Sequence, residues 1–249
     1  MADYGLITVN DYGGVQIDSM FQNFILQSSG SANIYNPILP LSQTMSSVPI
    51  PSSSAPPFIA IRPSFNCYTS MFGYGMSNGS YNSMKILIGN APFSSLGRSV
   101  STTIDYIVGR TISSAPSGSY GLSVYNQDGK ICFHSSYKYI KILSVHNFSL
   151  PDPFPPNDYY PYVDVQHPGI YNPYYVLMPS WSGWEAEDVI SPPPPPYFRL
   201  RIVYMSLGLK KLSAESVRIG VFIYSYTELP NPVITLFYEN PISLLVCTV

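Results

Sequence analysis

The chain has 249 residues, and its 12 Lys+Arg against 14 Asp+Glu leave a formal net charge of −2. Only 10% of residues are charged, well under the usual quarter, which excludes a phosphate-neutralising nucleic-acid surface. The length suffices for one large core or two ordinary ones without a metal or disulfide staple, and 25 prolines with 22 tyrosines favour strands and turns over long amphipathic helices.

In chain order, residues 6–9, a turn at 10–14 containing Gly13 and Gly14, and residues 15–18 predict a β-hairpin whose turn uses glycine where φ must be positive. Strands are predicted at 24–27, 58–62, 85–88 and 104–108. The Ser- and Pro-rich stretch 42–57 reads as a long loop. Residues 122–125, the turn Asn126-Gln127-Asp128-Gly129 and residues 130–133 repeat the opening hairpin. Further strands are predicted at 140–143, 174–178, 201–204 and 220–224. The five-proline run 192–196 reads as a stiff, extended loop. The tail, 233–238, Glu239-Asn240-Pro241 and 242–246, has the outline of a third hairpin and is too short and interrupted to span a bilayer as a helix. The opening Met1-Ala2-Asp3-Tyr4-Gly5 has no basic stretch followed by an apolar run, so no export signal is expected.

Sliding the chain by 116 residues superimposes Tyr4-Gly5-Leu6 on Tyr120-Gly121-Leu122, Asn10 on Asn126, Gly13 on Gly129 and Ser19 on Ser135. Without a gap, the same offset sets Pro37, Pro40, Pro57 and Pro63 on Pro153, Pro156, Pro173 and Pro179. Further along it sets Tyr81 on Tyr197, residues 84–87 on 200–203, and Tyr106-Ile107 on Phe222-Ile223. Glycine and proline have the least replaceable backbone requirements, so their coincidence points to a repeated backbone geometry. The expected fold is all-β: two tandem related β-sandwich, jelly-roll-like domains with long Pro/Ser-rich loops. The first is expected at 1–116 and the second at 117–249, carrying the C-terminal hairpin.

Chemistry-bearing patterns are sparse. Cys67, Cys132 and Cys247 are odd in number and share no CxxC spacing, which suggests neither a disulfide framework nor a zinc knuckle. Cys132 and His134 lie two apart on a predicted strand and so share a face, but two ligands do not make a metal site. A packed thiol beside a surface imidazole is the expected arrangement. Glu185, Glu187 and Asp188 follow Trp181 and Trp184 and form the one local acidic cluster. Such spacing does not set two carboxyl groups across a glycosidic bond, so no catalytic residue is assigned. Nucleotide, zinc-protease and serine-hydrolase signatures do not occur. The Asn-x-Ser triplets at Asn78 and Asn147 read as turns. No catalytic, cofactor or metal site is expected, and the chain reads as non-enzymatic. Trp181, Trp184, Tyr174 and Tyr175 are the candidates for a flat apolar surface or glycan contact.

The two opening hairpins, Tyr4-Gly5-Leu6 through Ser19 and Tyr120-Gly121-Leu122-Ser123-Val124-Tyr125-Asn126-Gln127-Asp128-Gly129 through Ser135, resemble the start of small tail proteins of tailed bacteriophages. The likeness covers about twenty residues in each copy; the second carries His134 where the first has Asp18. It implies a virion structural protein at the distal tail, in the tail tip, baseplate or fibre attachment, made in the host cytoplasm. Its implied partners are other tail proteins and further copies on a threefold or sixfold axis, with neither nucleic acid nor membrane insertion. The alternative is a host-receptor or glycan-binding module of the tail. Low charge and abundant Tyr and Pro suit extensive protein–protein contact.

Overall fold

The computed structural model describes residues 7–9, 15–18, 23–36, 45–89, 99–112, 114–115, 117, 120–126, 128–149, 162–178, 182–189, 199–229 and 242–249. The regular elements among them are all strands: β1 (Ile7–Val9), β2 (Val15–Asp18), β3 (Phe24–Asn36), β4 (Ser46–Ser53), β5 (Phe58–Arg62), β6 (Tyr68–Ser77), β7 (Ser80–Gly89) and β8 (Val100–Thr111) before residue 116, and β9 (Ser123–Tyr125), β10 (Ile131–His134), β11 (Lys141–Phe148), β12 (Tyr162–Gln166), β13 (Tyr174–Met178), β14 (Ser182–Val189), β15 (Arg199–Ser213), β16 (Ser216–Leu229) and β17 (Ile242–Thr248) after it. Two ribbons, β1–β2 and β9–β10, accompany two large antiparallel sheets. One has six strands in the order β11-β17-β13-β5-β8-β3. The other has seven, in the order β12-β16-β15-β6-β7-β4 with β14 also on β15.

Alternation of apolar and polar residues sets which face each strand buries. In β8, Val100, Thr102 and Ile104 are buried while Ser101 and Thr103 are exposed, as a two-residue period requires. Ile34, Ile59, Ile104 and Val246 of the six-stranded sheet meet Val48, Ile86, Leu209 and Ile219 of the seven-stranded sheet in one apolar cluster, so the sheets are the two layers of a sandwich. The six-stranded sheet also buries part of its outer face, where Ala60, Ile107, Leu245 and Cys247 pack with Ile140. Burial on both faces accounts for the unbroken apolar run Ile59-Ala60-Ile61 in β5.

The Ser- and Pro-rich stretch 42–57 is not only a loop: it contains β4. Val48 and Ile50 supply the buried face, and Pro49 and Pro51 are accommodated because β4 is an edge strand whose ladder with β7 breaks between Pro49 and Ser53. β3 also runs well past the predicted 24–27. Its polar end still alternates, with Ser31, Asn33 and Tyr35 outward and Ile34 and Asn36 inward, and Asn36 Nδ2 donates to the Ile88 carbonyl at 2.8 Å. The proline run 192–196 lies outside the described residues, as does the first limb of the predicted tail hairpin. Its second limb, β17, is a central strand between β11 and β13.

The 116-residue offset relates β1, β2 and β5 to β9, β10 and β13, range for range. It also relates two irregularities, the ladder breaks between Leu26 and Ser28 and between Ile142 and Ser144. After β13 it no longer describes the pairing. β8 lies between β5 and β3 as β17 lies between β13 and β11, and β7 lies between β6 and β4 as β16 lies between β15 and β12. Cys247 faces Tyr174 as Gly109 faces Phe58, an offset of 138. The gapless alignment of Tyr106-Ile107 with Phe222-Ile223 is therefore corrected: β15, β16 and β17 are the counterparts of β6, β7 and β8, and β14 is additional. Alternating strands resemble one another at any even shift, which hides such an insertion in sequence.

Candidate functional site: the junction between the halves

Each sheet crosses from first-half to second-half strands at an antiparallel contact between counterparts. Ile61 of β5 faces Tyr175 of β13 in one sheet, and Thr69 of β6 faces Leu209 of β15 in the other. Antiparallel pairing of counterparts relates the halves by an approximate twofold. Gly208 makes the second contact possible. A Cβ there would lie 2.5 Å from Phe222 Cε1 and 3.0 Å from the Thr69 carbonyl oxygen.

One side of the junction is polar. Arg62 Nε donates to the Asn172 carbonyl at 2.8 Å, its Nη1 lies 3.1 Å from Asp105, and its guanidinium sits 4.2 Å from the centre of the Tyr174 ring. Asn172 holds a positive φ of 49°, which an Asn tolerates at a turn. Its side-chain oxygen accepts from Lys211 Nζ at 2.6 Å, and the Lys211 amide donates to the Ser64 carbonyl at 2.9 Å. Burial, then the nearby Arg62 charge, lowers the Lys211 pKa. Nearby, His167 Nε2 lies 2.5 Å from Tyr175 Oη, and its Nδ1 lies 3.0 Å from the Ile170 carbonyl. Burial pushes the His167 pKa down and that of Tyr175 strongly up, so an imidazole accepting from a phenol is the arrangement at neutral pH.

The other side is an apolar cleft of about 500 Å³, walled by Phe58, Met71, Leu177, Met178 and Leu209. Tyr74 Oη closes one rim by donating to the Pro57 carbonyl at 2.9 Å. Beyond Thr69, β6 does not continue its pairing with β15, which instead takes β14 along Ser182–Val189. This lining suits an apolar group and holds no nucleophile–base pair among its residues.

Of the sequence candidates, Trp181 lies outside the described residues, and Trp184 falls in β14, whose side chains are not among those described. Tyr174 is half-buried under Arg62. Tyr175 is 2% exposed and held by His167, which withdraws it from a surface platform. His134 is also buried, at 2%, rather than at the surface, because Ser136 N donates to its Nδ1 at 3.2 Å and the Tyr137 ring packs edge-on against it. Cys132 is buried and donates to the Val124 carbonyl. Among the described residues no three His, Cys, Asp or Glu side chains are placed to hold a metal. Sequence reading missed Arg62, Gly208 and His167. A glycine inside the apolar run Leu207-Gly208-Leu209 was the available signal of close backbone approach.

The β9–β10 ribbon is docked on the first half. Its turn is built by Asn126, whose Oδ1 accepts from the Asp128 and Lys130 amides, with Gly129 at φ 72°. The chain leaving it lies along the outer edge of β3: Leu26 N donates to the Lys138 carbonyl at 2.7 Å, Ile140 N donates to the Phe24 carbonyl at 2.9 Å, and Ile25 faces Tyr139. Ile131, Ile25 and Ile112 form an apolar cluster under Tyr137 and Tyr139. Ile140 lies over Gly109, where a Cβ would come within 2.5 Å of its Cδ1.

Compared with protein-family models, with curated proteins and with solved structures, the chain matches none.

Proposed function

We propose that this protein is a non-enzymatic structural component of a tailed-bacteriophage virion, placed at the distal tail, and that it works through assembly with other tail proteins and further copies of itself. One observation carries the reading: the strand order β3-β8-β5 and its bulge recur as β11-β17-β13, so one rigid body presents two related surfaces. In this reading residues 1–116 and 117–249 are duplicates of one sandwich-forming unit. Such a chain suits a ring in which three copies offer six similar surfaces. The likeness of both opening hairpins to small phage tail proteins supports the location, and low charge lowers the desolvation cost of large interfaces.

The test is two-part. Light scattering of the purified chain at high concentration is expected to give a multimer, and antibody labelling of phage particles is expected to decorate the tail end distal to the head. A monomer at all concentrations overturns the assembly reading. Label on the capsid, or absent from the particle, overturns the location.

A further inference from the structure

We propose that the apolar cleft at the junction binds a neutral small molecule with a single unbranched alkyl chain ending in a hydroxyl, of the class of the medium-chain fatty alcohols. The inference goes beyond the assembly reading above and does not depend on it. It begins from a break in the pairing of the six-stranded sheet. β5 keeps a continuous ladder to β8, from Phe58–Gly109 to Arg62–Asp105, and β13 keeps one to β17, from Tyr174–Cys247 to Met178–Ser243. Between β5 and β13 there is a single ladder pair, Ile61–Tyr175. The same register would set Ile59 opposite Leu177 and Phe58 opposite Met178, but these four residues line the cleft instead. The two strands therefore part beyond Ile61, toward Phe58 and Met178.

The lining sets the shape of the ligand. Phe24, Phe58 and Leu245 belong to the apolar cluster on the outer face of the six-stranded sheet, whereas Met71, Leu177 and Leu209 belong to the cluster between the two sheets. A space lined from both faces of one sheet runs through the gap in that sheet, so it suits a thin chain laid between two strands better than a wide ring system. Its volume of about 500 Å³ is in the range of small-molecule sites. Among the described residues no charged side chain lines it, so an ionised group inside would be desolvated and unpaired. Met71 and Met178 are flexible and can follow the contour of an alkyl chain. One polar requirement remains at the inner end. Thr69, which lines the cleft, is fully buried, and its hydroxyl has no hydrogen-bond partner; the nearby Cys67 thiol is at most a weak one. A hydroxyl at the leading end of the chain supplies that partner, and the alkyl body fills the gap behind it.

The test is titration of the full chain with 1-octanol, followed by NMR of carbon-13 methyl-labelled methionine. The Met71 and Met178 signals, identified by their loss in Met71→Leu and Met178→Leu, are expected to shift saturably, while that of Met76, exposed and outside the cleft, stays in place. Met178→Trp, at a position 45% exposed, fills the mouth and is expected to weaken binding at least about tenfold with an unchanged melting temperature. Thr69→Val is expected to weaken it about tenfold and Thr69→Ser, which keeps the hydroxyl, much less. No saturable shift, an equal response of Met76, or binding indifferent to Met178→Trp overturns the site. Equal losses in Thr69→Val and Thr69→Ser, or 2-naphthol binding as tightly as 1-octanol, overturn the ligand class. Met71 and Met178 signals that move on dilution of a multimer without 1-octanol mean that a second copy occupies the cleft, and overturn the inference as well. The light-scattering mass that tests the assembly reading is measured separately, so the two readings fail independently.

Discussion

Gly208 and His167 do different work at the junction. Gly208 lets Phe222 and the Thr69 carbonyl approach its backbone, so Gly208→Ala forces a ring and a strand apart. Overpacking of this kind costs about 1–3 kcal/mol, and urea titration of the variant is expected to show a midpoint lowered accordingly. His167 is neutral in the fold because burial opposes its charged form. The unfolded imidazole takes up its proton near its ordinary pKa of about 6.5 and the folded one only at lower pH. Its stability contribution is thus complete above that value and is lost as pH falls from there toward the folded pKa. Thermal melts between pH 7.5 and 5 are expected to fall more steeply for the wild type than for His167→Gln; equal slopes would show that the ring is not held neutral. Neither residue was legible as a site. Tyr175 illustrates why: its sequence neighbourhood, Pro173-Tyr174-Tyr175, looks like a surface aromatic pair, and only the turn returning His167 to it makes the second ring a buried phenol.

At the scale of elements, hairpins and short apolar strands were readable because turn chemistry and period-2 patterning are local. β5 and β13 occupy the predicted 58–62 and 174–178, and β2 occupies 15–18. β4 was read as loop because its prolines mask the alternation of Val48 and Ile50, an arrangement that only an edge position tolerates. β14 could not be recognised as an addition, since alternation gave the following strands a plausible but incorrect partner in the first half. The junction between β5 and β13 is a single ladder pair reinforced by Arg62. Arg62→Ala removes a charged hydrogen bond to Asn172, the Asp105 ion pair and the stacking on Tyr174. It is expected to cost roughly 1–3 kcal/mol, measured by urea unfolding. A loss no larger than that of a surface Arg elsewhere would show that the ladder alone holds the halves.

For the whole molecule, the 116-residue offset was visible in sequence, but which strand edges meet was not. An offset reports similarity between segments and contains nothing about which edges meet. Both sheets run through the junction, and the largest apolar cluster draws on strands from both halves. Two beads on a string would unfold separately, whereas a shared core makes the halves one cooperative unit.

The most direct test is one urea titration followed by two probes. Tryptophan fluorescence reports the second half alone, because Trp181 and Trp184 both lie there; amide hydrogen exchange of β8 reports the first. Coincident midpoints are expected for a sandwich whose sheets cross the junction. Two separated midpoints, with β8 protected after the tryptophan signal has gone, would contradict it.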